Sequence, residues 1–162
     1  MPEIQQEVYR AVREATNSVF STMLSREVTP EEPKELVDPP PLTGVMALLG
    51  FTGEWAGLGM VYCQEKLAIE VSSTMLMCEV TEVTNDVLDA MGEVANMVIG
   101  NVKDLLQPTV GTLAMSIPTV IYGRNFQART TQHRHWLIQP FQSGGAAFEV
   151  RICLTPKENG AG

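Results

Sequence analysis

Apolar positions in the first two dozen residues recur every three or four places. Ile4, Val8, Ala11, Ala15, Val19 and Thr22 share one face, with charged residues and Gln between them. This period predicts an amphipathic helix over residues 4–24. The pattern breaks at TPEEPKELVDPPP, residues 29–41, which holds five of the 10 prolines. Proline fixes φ and lacks an N–H, so an extended surface connection is expected there rather than an element. Apolar runs at 42–51 and 54–63, parted by Thr52-Gly53, predict a β-hairpin. A short helix over 66–77 and a long one over 83–106 follow, the latter expected to stop at Pro108. The remainder is strand-like: 112–122 interrupted by Pro118, then 135–141, then 146–154 beyond the Gly144-Gly145 turn. Residues 156–162 read as a frayed tail. This order predicts one domain spanning residues 1–162, of the α+β class, with helices packed on one face of an antiparallel sheet. A long helix followed by a strand pair occurs twice, a faint internal repeat without traceable sequence identity.

Composition narrows the function classes. With 162 residues and 44% apolar content the chain can bury a substantial core. Its net charge of −8 and its 11 scattered basic residues argue against nucleic acid and anionic membrane surfaces as partners. No apolar run approaches the roughly 18 residues of a membrane span. The N-terminus, MPEIQQEVYR, is polar and acidic, unlike a secretory signal, so a cytoplasmic location is expected. Cys63, Cys78 and Cys153 lie far apart among apolar residues with no CxxC pair, and are expected to be buried free thiols. His133 and His135 would share a strand face, but no third ligand lies near, so no metal of the chain's own is expected. Gly53, Gly57 and Gly59 fall in the hairpin and make no dinucleotide fingerprint. Nothing around Ser72, Ser73 and Thr74 marks a nucleophile elbow. Met75–Met77 reads as core packing.

The long helix carries the chemistry. On a helical wheel Val87, Leu88, Met91, Val94, Ala95, Val98, Ile99, Val102, Leu105 and Leu106 fall in one arc of about 140°. Thr84 is placed to cap it, with Val83 and Leu88 as a hydrophobic staple. On the opposite arc Asp89, Glu93 and Asn96 stand at i, i+4 and i+7, pointing the same way on successive turns. Gly100 continues the stripe, and Ala90, Gly92 and Met97 flank it. Gly92 and Gly100 cost the helix about 1 kcal/mol each relative to Ala. They are expected to leave room for another protein's backbone. The pattern E-x-x-N also occurs at Glu14–Asn17 and Glu82–Asn85. Asn85 lies at a helix entrance, and Glu14–Asn17 has Arg10 rather than an acid four residues earlier. Only Glu93–Asn96 combines the acid, the glycines and an unbroken apolar stripe.

Asp89, Glu93 and Asn96, followed by Pro118 in SIPTVIYG, resemble the signature of the CheX/CheC family of chemotaxis phosphatases. Twenty-one residues separate Asn96 from Pro118, one short of the family spacing. The segments GFTGEWAGLGMVYC, SSTMLMCEV and GEVANMVIGNVKDLL, and the single good signature in the middle helix, are similar to the CheX branch. The resemblance implies a CheC/CheX-like fold and a phosphatase for the aspartyl phosphate of a CheY-like response regulator. It implies that Asn96 orients the attacking water and Glu93 pairs with the receiver's active-site lysine. Asp89, Met97, Gly100 and Pro118 would support the site or contact the partner. The chain would need no cofactor of its own, Mg2+ residing in the partner receiver. A homodimer formed through sheet edges is also implied. The alternative is a non-catalytic dimeric binding or scaffold module of the same fold, as in the related flagellar switch proteins.

Overall fold

The computed structural model describes residues 2–129 and 135–158. Among the described residues three helices, α1 (Pro2–Met23), α2 (Glu65–Leu76) and α3 (Asn85–Val110), accompany eight strands. The strands are β1 (Thr29–Pro30), β2 (Lys34–Val37), β3 (Leu42–Gly53), β4 (Trp55–Cys63), β5 (Leu113–Met115), β6 (Thr119–Phe126), β7 (His135–Ser143) and β8 (Ala146–Pro156). They form one antiparallel sheet in the order β1-β7-β8-β4-β3-β5, with β2 joining β7 and β6 joining β3.

Alternation along the strands sorts side chains between the two faces. Val45, Ala47, Leu49 and Phe51 of β3, Val61 of β4 and Val150 and Ile152 of β8 enter a core shared with all three helices. Met46, Met60, Trp136, Ile138 and Cys153 form a smaller cluster on the other face, which no helix covers among the described residues. The expected layering of helices on one face of an antiparallel sheet is therefore observed. Thr84 caps α3 as expected, its Oγ1 accepting from the Val87 N–H at 3.4 Å.

Several local expectations fail for identifiable reasons. The proline-rich segment is exposed, yet it contributes β1 and β2 to the sheet edge, pairing Pro30 with Phe141 and Leu36 with Trp136. At an edge a proline's missing donor costs no ladder bond, so extended chain there can add to the sheet. Helix α3 continues through Pro108 to Val110; the proline leaves the Asp104 carbonyl without its helical donor, and Asp104 is exposed to water. It ends where the Gly111 N–H returns to the Gln107 carbonyl at 2.9 Å, with Gly111 at φ 84°. The tail begins later than expected: Pro156 pairs with Trp55, and the Lys157 N–H donates to the Glu54 carbonyl at 2.8 Å. Thr22 is exposed, whereas Val12, Thr16 and Phe20 join the buried face of α1. Leu105, assigned to the core stripe, is 36% exposed at the α1–α3 boundary. It lines a cavity of about 230 Å³ with Glu14, Ser18 and Asn101. Met77 is 92% exposed because it is the left-handed C-cap of α2, at φ 54°, and points away from the core. Cys78, the next residue, is exposed rather than buried for the same reason.

Candidate functional site

The solvent side of α3 is set by what its other side buries. Val87, Met91, Val94, Ala95, Val98 and Val102 are all buried in the main core, which fixes the rotation of the helix about its axis. Asp89 and Glu93 are consequently exposed, and Asn96 is half-buried. Residues three apart on a helix hold their Cβ atoms about 5–6 Å from each other, so the Glu93 carboxylate and Asn96 carboxamide are neighbours. Among the described residues no hydrogen bond or ion pair engages the side chains of Asp89, Glu93 or Asn96, and none joins Asp89 to Glu93. The amide offers both a donor and an acceptor, the carboxylate only acceptors. Both are uncommitted groups on a rigid support.

Gly92 does not clear a surface for another protein. Gly92 is buried, and a Cβ placed there would stand 3.2 Å from Val120 Cγ2 and 3.6 Å from Pro118 Cγ. A Cβ at Gly100 would stand 3.6 Å from Met115 Cε. The chain's own segment from β5 to β6 fills the space at Gly92 and touches the half-buried Gly100. Gly92, Asn96 and Gly100 lie four residues apart in one row, so this segment runs alongside Asn96. Pro118 is thereby brought to α3, at the residue preceding Glu93. Met97 is half-buried and packs against the core rather than standing free.

Sequence patterns alone missed how firmly that segment is held. The Ser116 N–H donates to the Gly50 carbonyl at 2.9 Å, and the Gly50 N–H donates to Ser116 Oγ at 2.8 Å. The Ser116 hydroxyl in turn donates to the Ile117 carbonyl at 3.0 Å. A serine just before X-Pro is the only signal the sequence offered, and it says nothing about Gly50.

Other groups stay apart from this face. Glu14 and Asn17 are exposed on α1. His133 lies outside the described residues, while His135 Nδ1 is 3.5 Å from Glu35 Oε1. Among the described residues no three His, Cys, Asp or Glu side chains converge where a metal ion could be held. Burial pushes the Cys63 and Cys153 thiols up to about 12, so both stay protonated and unreactive near neutrality. A cavity of about 570 Å³ opens at the start of α2 between Tyr62, Glu65, Tyr122 and Arg124, away from α3. An uncommitted pair on a convex helix is better suited to entering another protein's cleft than to enclosing a small molecule, so concavity is no guide to this site.

No curated protein matches the chain. Among solved structures, the chemotaxis protein CheX from Desulfovibrio desulfuricans is 29% identical with a TM-score of 0.82, covering 92% of this chain and 99% of that one. CheX from Vibrio vulnificus is 27% identical with a TM-score of 0.81, at 92% and 99% coverage. CheX in the CheX–CheY–BeF3–Mg2+ complex from Borrelia burgdorferi shares the fold at 23% identity and a TM-score of 0.74, covering 90% and 96%. The sequence profile of chemotaxis phosphatase CheX matches residues 45–142, a stretch containing most of β3 and all of β4, α2 and α3, with Asp89, Glu93, Asn96 and Pro118. The chain belongs to the CheX family of chemotaxis phosphatases.

Proposed function

We propose that this protein hydrolyses the aspartyl phosphate of a CheY-like response regulator, with Asn96 orienting the attacking water and Glu93 pairing with the receiver's active-site lysine. One observation carries the assignment: a free carboxylate and a free carboxamide, one turn apart, on a helix locked by its buried face. An aspartyl phosphate is already activated, so its hydrolysis mainly needs a water placed in line with the bond that breaks. The Asn96 amide accepts a hydrogen bond from that water with its oxygen and offers its N–H2 to a phosphoryl oxygen. Neither contact requires a shifted pKa. Glu93, more exposed and next to Asn96 on the helix, reaches a cation on the partner and so fixes the approach. Asp89 adds negative charge one turn earlier, favouring the same cation. Mg2+ belongs to the receiver in this scheme; the Borrelia complex contains CheX, CheY, BeF3 and Mg2+ together.

A cytoplasmic location and a homodimer complete the proposal. No described helix is long and apolar enough to cross a membrane. The second strand edge of β6 is unpaired among the described residues, and an open edge offers donors and acceptors to a second copy. Sedimentation showing only a 17.7 kDa species would remove the dimer.

The deciding assay follows phosphate release from phosphorylated receivers of the source organism, with Glu93→Ala and Asn96→Ala as controls. Acceleration by the wild type and its loss in Asn96→Ala are expected. Binding without acceleration would instead favour the scaffold function.

A further inference from the structure

We infer that Ile117 is an apolar anchor for the receiver, a partner-contact residue standing beside the hydrolytic pair; this rests on the function proposed above. Ile117 is 85% exposed, more than any other large aliphatic side chain in the described residues except Met77. A single exposed aliphatic group is ordinary on a protein surface. What distinguishes this one is how it is held and where.

Its backbone is fixed from both sides. Ser116 is tied to Gly50 in both directions, and its hydroxyl holds the Ile117 carbonyl. Pro118 follows, restricting Ile117 to extended conformations, and packs over Gly92 on α3. Isoleucine itself is stiff at χ1 because it is branched at Cβ. An apolar side chain presented on such a support loses little further freedom when a partner covers it, the condition under which buried area converts into affinity.

Its place is equally specific. The segment carrying Ile117 runs along the Gly92–Asn96–Gly100 row, so a protein surface brought over Asn96 meets Ile117 on the same approach. The pair Glu93 and Asn96 is polar and provides chemistry and orientation. The pair supplies no apolar contact itself, and the apolar side chains beside it, Met97, Met115 and Val120, are half-buried against the core. Ile117 supplies one, at the rim of the water-excluding contact that in-line attack requires. The occupant is therefore the phosphorylated receiver, the protein that Asn96 and Glu93 would meet on this face.

The test compares wild type, Ile117→Asp and Ile117→Leu with the cognate receiver identified in the release assay. Binding to the BeF3-activated receiver, KM and kcat for phosphate release, and the mass in solution are measured together. Ile117→Asp is expected to weaken binding and raise KM at least tenfold, about 1.4 kcal/mol. kcat at saturation should stay within about twofold, because the lost contact is made equally before and during hydrolysis. Ile117→Leu should restore wild-type binding. Unchanged KM in Ile117→Asp, with Asn96→Ala inactive, overturns the anchor and leaves the proposed hydrolysis standing. A change in mass with Ile117→Asp makes a second copy the occupant and overturns it as well. If the wild type neither binds nor dephosphorylates any receiver, the hydrolytic function fails and the anchor fails with it.

Discussion

Replacing Asn96 with Ala should move stability and activity in opposite directions. The Asn96 side chain makes no hydrogen bond among the described residues, so its removal orphans no buried partner. It stands in the interior of α3, eleven residues from its start, where Ala exceeds Asn in helix propensity by about 0.6 kcal/mol. The side chain is only half-buried, and the truncation opens onto solvent rather than leaving a closed cavity. The sum is a gain of about 0.5 kcal/mol, or roughly 1–2 °C in Tm for a chain of this size. Phosphate release should meanwhile fall about 100-fold or more, the usual cost of deleting one group that positions or stabilises the reacting atoms. Urea melts followed by circular dichroism give the first number and single-turnover release from a phosphorylated receiver the second. A loss of 2 kcal/mol or more, of the kind seen when a buried network breaks, would mean that the amide has a structural bond and that its free state here is wrong. Unchanged release would remove Asn96 from the chemistry. Only a stable and inactive variant agrees with an amide kept free for a water.

Further outcomes follow from the packing. Gly57→Ala should prevent folding or cost at least about 3 kcal/mol, because its methyl would fall on the Cys153 carbonyl oxygen in the β4–β8 ladder; a folded, wild-type-like melt would refute the tight ladder. Glu149→Ala should destabilise by about 3 kcal/mol, since Arg151, with its side chain only 6% exposed, pairs with Glu149 at 2.7 Å and would keep a buried charge with that bond gone; denaturant titration reads this directly. In native protein a thiol reagent should label Cys78 alone, and after unfolding all three cysteines. The buried thiols also set a pH dependence: Cys63 and Cys153 are raised from 9.0 to about 12 on folding. Their contribution is complete below about pH 9 and is lost as pH rises toward 12, because there the unfolded chain releases protons that the folded one retains. Cys63→Ala should flatten the alkaline decline in stability, and an identical pH profile would exclude the thiol as its source.

What the sequence determined by itself was periodicity. A repeat of 3.6 sets which residues of α3 face inward, and the wheel therefore placed Asp89, Glu93 and Asn96 outward without knowing what they would meet. The same logic found α1, the β3–β4 hairpin and the Thr84 cap, all of which depend on residues close in sequence. Tertiary structure decided everything that depended on a distant partner. Residues 29–41 read as mere connection because proline is unfavourable inside a sheet, and only β7 shows that they lie at its edge. Gly92 reads as an opening, since nothing in sequence announces that Pro118 and Val120 return to fill it. Cys78 and Met77 looked apolar and buried until the left-handed cap of α2 turned them outward. The position of Pro118 beside α3 belongs to the same class. Its spacing from Asn96 is visible in the chain, but the Ser116–Gly50 clamp that holds it there joins residues 66 positions apart. Short-range patterns fix which way a side chain turns on its own element; only closure of the fold fixes what stands opposite it.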